Sequence, residues 1–372
     1  MARETVLEEL ETPALVLDAS IMEANIARMQ ERLRRLGPGL RPHVKTAKSI
    51  DVARRCLERE PGGITVSTLA EAEYFAGHGV RDILYAVGIA PNKLEHVIDL
   101  RRRGVDVTVV LDNLAQAKFV AGKNLPVLIE IDCDGHRSGV KPDDPGLVEL
   151  GRAVENLRGV MTHAGSSYNC RSVSAIEAVA ETERASVVKA AERLRREKLE
   201  APVVSAGSTP TATYAKRLDG VTEVRAGVFV FFDLVMAGIS VCRVEDIALS
   251  VAASVIGHQA DKGWAITDAG WMALSRDRGT AAQPLDQGYG LVCDADGRPL
   301  DGVIVADANQ EHGILAHRSG EAGRMPQLPV GTLVRILPNH ACATGAQHAA
   351  YHVVRGSRRV EERWERIRGW SL

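Results

Sequence analysis

Between residues 40 and 229 the chain alternates short apolar runs with stretches of helical spacing, and this alternation limits the fold more than any other feature. The strand-like runs fall at residues 40–44, 64–68, 83–87, 107–111, 127–132, 160–163, 203–206 and 224–229. Between them lie helical stretches such as 50–58, 69–77, 93–103 and the long 173–198. Eight strands, each followed by a helix or connecting segment, fit a closed (β/α)8 TIM-type barrel. An open doubly wound sheet is the competing arrangement, but no GxGxxG follows the first strand. The barrel is therefore the expected fold.

Ahead of it, residues 14–17 read as a short strand. Ser20 is the expected cap of a helix carrying Met22, Ile26, Met29, Leu33 and Leu36 at helical spacing, ended by Gly37-Pro38-Gly39. After about Gly238 the texture changes to short alternating runs at 248–256, 264–267, 290–293, 303–306, 333–337 and 351–354. Asp296-Gly297 and Asp301-Gly302 supply turns there, and helical periodicity is absent, as in an all-β domain. The expected α/β architecture is thus a barrel over residues 18–238 plus a β domain built from 1–17 and 239–372, which suits a chain of 372 residues.

Composition narrows the function classes. Lys and Arg number 46 against 48 Asp and Glu, a net charge of −2, which argues against a nucleic-acid or anionic-membrane binder. No apolar run approaches the roughly 20 residues that span a bilayer. Residues 1–12, with Arg3, Glu4, Glu8, Glu9 and Glu11, lack the pattern of a signal peptide. The six cysteines form no CxxC pair, so free thiols in a reducing cytoplasm are the expectation.

Three segments carry candidate chemistry. Arg41-Pro42-His43-Val44-Lys45-Thr46-Ala47-Lys48 ends the first barrel strand, where the active sites of such barrels are built. Burial there, with Arg41 and Lys48 nearby, favours a neutral, nucleophilic Lys45; a solvated basic loop is the competing reading. Ser205-Ala206-Gly207-Ser208-Thr209-Pro210-Thr211 runs from a strand into a turn that offers N–H groups and hydroxyls to an anion such as phosphate. Alone it reads equally as a capped turn, but Arg225-Ala226-Gly227 adjoins it at the next strand, and the last two strands of barrels recur as a phosphate site. In Pro338-Asn339-His340-Ala341-Cys342, an extended segment points His340 and Cys342 the same way, toward one soft ion such as zinc. Two ligands do not complete a site, and a buried Cys beside a satisfied His is the alternative. The clusters around Asp132–Arg137, His163–Tyr168, Asp268, Ser275-Arg276-Asp277 and Glu311-His312-Gly313 read as turns, caps or site residues without preference.

Taken in order, these segments resemble the fold-type III pyridoxal-phosphate enzymes of the D-serine dehydratase and D-threonine aldolase family. The likeness covers nearly the whole chain, through TPALVLD, RPHVKTAK, IDCDGHRSGV, HAGSSY, SAGSTPT, EVRAGVFVFFD, DAGWMALSRD, QEHG and PNHAC. It implies an alanine racemase-like barrel with a C-terminal β domain, paired as a homodimer. By that matching Lys45 carries pyridoxal 5'-phosphate on its ε-amine, with His43, Arg137, His163 and Tyr168 beside it. Ser208, Thr209, Gly227 and Val228 match its phosphate positions, and Arg225 falls against the pyridine nitrogen. His340 and Cys342 match the family's metal pair. HxC resembles the dehydratases, whereas the aldolases tend to HxD; thiolate suits zinc, and carboxylate suits manganese or magnesium.

The implied activity is dehydration of a β-hydroxy D-amino acid, namely D-serine, D-threonine or a 3-hydroxyaspartate, to a 2-oxo acid and ammonia. Lys45 would take the α-proton, and zinc at His340 and Cys342 would draw away the hydroxyl. A metal-dependent D-threonine aldolase is the rival; a racemase, a carrier of pyridoxal phosphate and a cofactor-free barrel are more remote. The sequence departs from the family pattern at Ala47, where many relatives have histidine, and at Ser166 and Ser167, where aldolases offer a histidine base. Past Cys342, ATGAQH adds His348 as a possible neighbour of the metal pair.

Overall fold

A computed structural model describes residues 5–57 and 62–371. Residues 1–4 and the expected helix end at Glu58 lie outside them. The chain divides into two compact units, Met1–Ile26 with Val228–Arg368, and Ala27–Gly227 with Gly369–Leu372.

Regular structure begins with β1 (Ala14–Asp18), buried throughout, and the helix Ala19–Leu36. That helix starts one residue before Ser20. The carboxylate of Asp18 accepts from the backbone N–H groups of Ser20 (3.0 Å) and Ile21 (3.3 Å), so Asp18 performs the capping expected of Ser20.

Eight parallel strands follow: β2 (Gly39–Pro42), β3 (Ile64–Val66), β4 (Asp82–Gly88), β5 (Asp106–Leu111), β6 (Val127–Ile131), β7 (Leu157–Thr162), β8 (Val203–Ala206) and β9 (Glu223–Ala226). They pair in the order β2-β9-β8-β7-β6-β5-β4-β3. The ends meet through a parallel bridge between His43 and Thr65, where the Val44 N–H donates to the Thr65 carbonyl at 2.9 Å. The sheet is therefore a nearly closed barrel, as the alternation of apolar runs implies. Its strands are apolar because both faces are covered; β6 is buried at every position. The first two strands stop two residues before the expected ends, at Pro42 and Val66, and the last departs furthest. The run 224–229 leaves the sheet at Ala226, and Val228–Val230 forms a 3-10 turn whose side chains are buried without strand pairing.

The second unit holds β10 (Leu249–Gln259), β11 (Trp264–Thr267), β12 (Gly290–Cys293), β13 (Pro299–Ala308), β14 (Gly313–His317), β15 (Leu333–Pro338), β16 (Ala350–Val354) and β17 (Glu362–Glu365). The pairings β11-β14-β13-β12-β15-β10, with β10 returning to β11, close a six-stranded antiparallel barrel. β1 joins its β10 edge, antiparallel to β10 and parallel to β16. β14 and β17 are additional to the expected strands, and the domain is not free of helix. Short turns of helix at Trp271–Leu274 and Ala341–Ala346 interrupt it. Among the described residues no helix is long and apolar enough to cross a membrane.

Candidate functional site

Lys45 lies in the turn directly after β2, exposed, at the carboxyl end of a barrel strand. The two cations expected to act on it are engaged elsewhere. Arg41 bridges Glu223 (2.7 Å) and Asp82 (2.9 Å), and Lys48 pairs with the buried Glu71 at 3.1 Å. His43, half-buried at the barrel closure, has its Nδ1 buried without a hydrogen bond. Burial and the charges of Lys45 and Arg225 hold its imidazole well below the usual histidine range. His163, just past β7, donates from Nδ1 to the Gly207 carbonyl (3.2 Å), and its pKa falls to about 3, chiefly through burial. The Tyr168 ring stands 6.3 Å from it, on the 3-10 turn Gly165–Asn169.

The turn after β8 is built from hydroxyls. Ser208 caps the helix Thr209–Tyr214 through its side chain, which accepts from the Thr211 N–H at 3.3 Å. Its hydroxyl also lies 3.0 Å from both Ser167 and Thr211. Thr209 is fully buried. Two glycines let the backbone close up here. A Cβ on Gly207, whose φ is +118°, would sit 2.7 Å from the Arg225 carbonyl, and one on Gly227 would sit 2.8 Å from the His43 carbonyl. Arg225, on β9, is buried and donates to Ser205 Oγ (2.5 Å) and to the Thr162 carbonyl. Arg137 is half-exposed and pairs with Glu130 at 3.0 Å. Ala47 is buried, and Ser166 donates its N–H to Asp134. Val228, across the division of the chain, opens the 3-10 turn after Gly227.

The other candidate cluster lies within the β unit. His340 has extended backbone, but Cys342 sits in the first turn of the helix Ala341–Ala346. The two are therefore brought together by a helix start and not by strand periodicity. The His340 imidazole lies in hydrogen-bond reach of the Cys342 thiol, while its Nδ1 is 2.7 Å from Asp277 Oδ2. Burial opposes its protonation, yet Asp277 and Cys342 outweigh burial and push it up to about 11. The segment is pinned on both sides. Asp233 accepts the Ala341 N–H at 3.0 Å, and Asn339 donates to the carbonyls of Gly288 (2.7 Å) and Asp277 (3.2 Å). His348 faces elsewhere, with Nε2 donating to the Ala273 carbonyl at 3.0 Å. Among the described residues no three His, Cys, Asp or Glu side chains are grouped to hold a metal ion.

Of the remaining clusters, Asp132 closes a turn by accepting from the N–H groups of Asp134 and Gly135, and Asp268 ties the Ser254 N–H to Thr12. Glu183 lies outside the segments singled out in the sequence, and Asp277, inside one of them, gains its partner only from the fold. Asp277 stands 63 positions from His340, and nothing local links them. Glu183 has a visible signal: on the helix Val173–Arg196 it falls on the stripe Ile176, Ala180, Val187, Ala190 and Leu194, where a carboxylate is out of place without partners.

The chain matches the family model described as alanine racemase, N-terminal domain, over residues 17–235, and that described as putative serine dehydratase domain over residues 248–354. It is 56% identical over 380 residues to the D-threo-3-hydroxyaspartate dehydratase of Delftia sp. (strain HT23), covering 99% of this chain and 100% of that one. The D-serine dehydratase of Dictyostelium discoideum is 27% identical over 394 residues, 98% of each. A solved cysteine-to-alanine variant of D-threo-3-hydroxyaspartate dehydratase, in the metal-free form, is 55% identical with a TM-score of 0.96, covering 99% of this chain and 100% of that one.

Proposed function

This chain belongs to the family that joins an alanine racemase N-terminal domain to a serine dehydratase domain, and from that premise we propose that it is a pyridoxal-phosphate- and zinc-dependent dehydratase of β-hydroxy D-amino acids. D-threo-3-hydroxyaspartate, the substrate in its relative's name, is the first choice. One observation carries the reading: Lys45 at the barrel mouth shares a unit with His43, His163 and the hydroxyl-rich turn at Ser208.

The residues of the barrel unit fit the cofactor. The close backbone at Gly207 and Gly227 and the unbonded Nδ1 of His43 suit a ligand with a polar rim and a phosphate. Ser208, Thr209 and Gly227 would hold the phosphate, and His43, Arg137, His163, Tyr168 and Arg225 would surround the ring. Pyridoxal phosphate, when bound, supplies the electron sink that acidifies the α C–H of an amino acid. Lys45 Nζ is the base that takes the α-proton. His163 stays neutral, with its Nδ1–H committed to Gly207, so it adds no second cation beside Lys45. Arg225, held by Ser205 and the Thr162 carbonyl, brings a fixed positive charge and cannot accept a proton from the ring.

The His340 and Cys342 pair also fits a metal. Nitrogen and sulfur donors suit zinc, and the Asp277 carboxylate behind Nδ1 is the partner that metal-bound histidines usually have. A divalent ion there supplies Lewis acidity toward a hydroxyl oxygen. The metal-free cysteine variant of the relative supports a metal at such a cysteine. The reading extends to a homodimer in a reducing cytoplasm, consistent with six cysteines that are all free.

Product analysis tests it. Dehydration of D-threo-3-hydroxyaspartate, followed by hydrolysis of the enamine, gives oxaloacetate and ammonia in equal amounts. Aldol cleavage gives glycine and glyoxylate instead. Glycine as the main product would overturn the dehydratase assignment.

A further inference from the structure

Glu183 is a fully buried carboxyl that the proposed reaction does not use. It lies on the helix Val173–Arg196, yet its donors come from the two turns that frame the cofactor pocket. The Ala164 N–H donates to Oε1 at 2.8 Å, and the Gly207 N–H and the Thr211 hydroxyl also bond to the carboxyl. One acidic group therefore ties the turn after β7 to the turn after β8. Burial pushes its pKa up, while these three donors and the charge of Arg225 favour the ionised form.

The bonds also fix which hydroxyl protons are free. The Thr211 hydroxyl proton is shared between the Glu183 carboxyl and the Ser208 carbonyl, 3.3 Å away, and the Thr211 oxygen receives the Ser208 N–H at 2.9 Å. Ser167 gives its proton to the Ala164 carbonyl at 2.8 Å. Ser208 Oγ meanwhile accepts the Thr211 N–H. With both neighbouring protons committed, the Ser208 hydroxyl proton alone in this cluster can turn to an incoming anion.

We propose that Glu183 is the positioning residue of the phosphate-binding turn, orienting the Thr211 and Ser208 hydroxyls so that Ser208 donates to the phosphate of the cofactor. This rests on the reading of the chain as a pyridoxal-phosphate protein. Glutamine at this position has the same shape but accepts at one end only. Its NH2 would face either a backbone N–H or the Thr211 hydroxyl. Thr211 would then turn its proton back toward Ser208, whose oxygen and carbonyl lie 3.0 and 3.3 Å away.

The test compares two probes on the full-length apoprotein, pyridoxal 5'-phosphate and pyridoxal, which lacks the phosphate. Dissociation constants are read by absorbance for the wild type, Glu183→Gln and Thr211→Val. Glu183→Gln should weaken the phosphate-bearing probe by about tenfold, the scale of one lost buried hydrogen bond, and leave pyridoxal unchanged. Thr211→Val should show the same selective loss, smaller because Glu183 keeps two donors. An unchanged preference for the phosphate in Glu183→Gln, or an equal loss for both probes, overturns the proposal. Should Glu183→Gln not fold, Thr211→Val decides: an unchanged preference there overturns it as well. Failure of the wild type to bind either probe overturns the functional reading instead.

Discussion

Replacing Asp277 by asparagine isolates what a carboxylate contributes to the metal pair. Asp277 Oδ2 holds His340 Nδ1 at 2.7 Å, and its other oxygen accepts the Gly279 N–H at 2.8 Å. Asparagine offers one oxygen for these two donors. If that oxygen keeps Gly279, the amide NH2 faces Nδ1 and drives the imidazole proton to Nε2, the nitrogen a metal needs. If it turns to His340, the tautomer survives, but a charge-assisted bond becomes a neutral one, a difference of about 1–1.5 kcal/mol, or roughly tenfold. The first case is worse, so the expected loss in zinc affinity is about 10- to 100-fold, as for other partners of metal-bound histidines. Titration of the apoprotein with zinc against a competing chelator measures it. Affinities that agree within about twofold would show that Asp277 does not orient His340, and the assigned role of the carboxylate would be wrong.

Acid stability should carry the mark of His163. Its folded pKa of about 3 lies below the unfolded value near 6.5, so the unfolded chain binds the extra proton. Its contribution is therefore intact above pH 6.5 and is lost as pH falls toward 3, by up to about 1.4 kcal/mol per unit. Urea unfolding at pH 6 and pH 4 should show a steeper decline for the wild type than for His163→Gln; parallel declines contradict it. Gly227→Ala would set a Cβ 2.8 Å from the His43 carbonyl, a backbone atom with little room to yield, and 3.2 Å from Thr46 Oγ1. The expected cost is about 1–3 kcal/mol in unfolding free energy, with weaker binding of pyridoxal phosphate, and a variant unchanged in both contradicts the close-approach argument.

Much of the barrel could be read from the chain because parallel strands covered on both faces leave continuous apolar runs, as 127–131 does. The same rule misled at 224–229. Phe229 continues the apolar run, but the chain turns after Gly227 and buries it in a 3-10 turn instead. Ser20 and Asp18 are both good caps, and only the geometry of β1 selects Asp18. His340 and Cys342 approach each other through a helix start and not through the strand period expected, since a helix start can juxtapose i and i+2 as a strand does. Asp277 and Glu183 act through contacts that local spacing does not encode. For Glu183 alone, a charge on an apolar stripe left a trace in the sequence.

Everything proposed for the reaction depends on which lysine carries the cofactor. Borohydride reduction of the holoprotein, followed by peptide mass spectrometry, identifies it. A pyridoxyl group on the peptide bearing Lys45, at Lys45 and not Lys48, is the expected result; a group attached elsewhere, or none, would contradict the assignment.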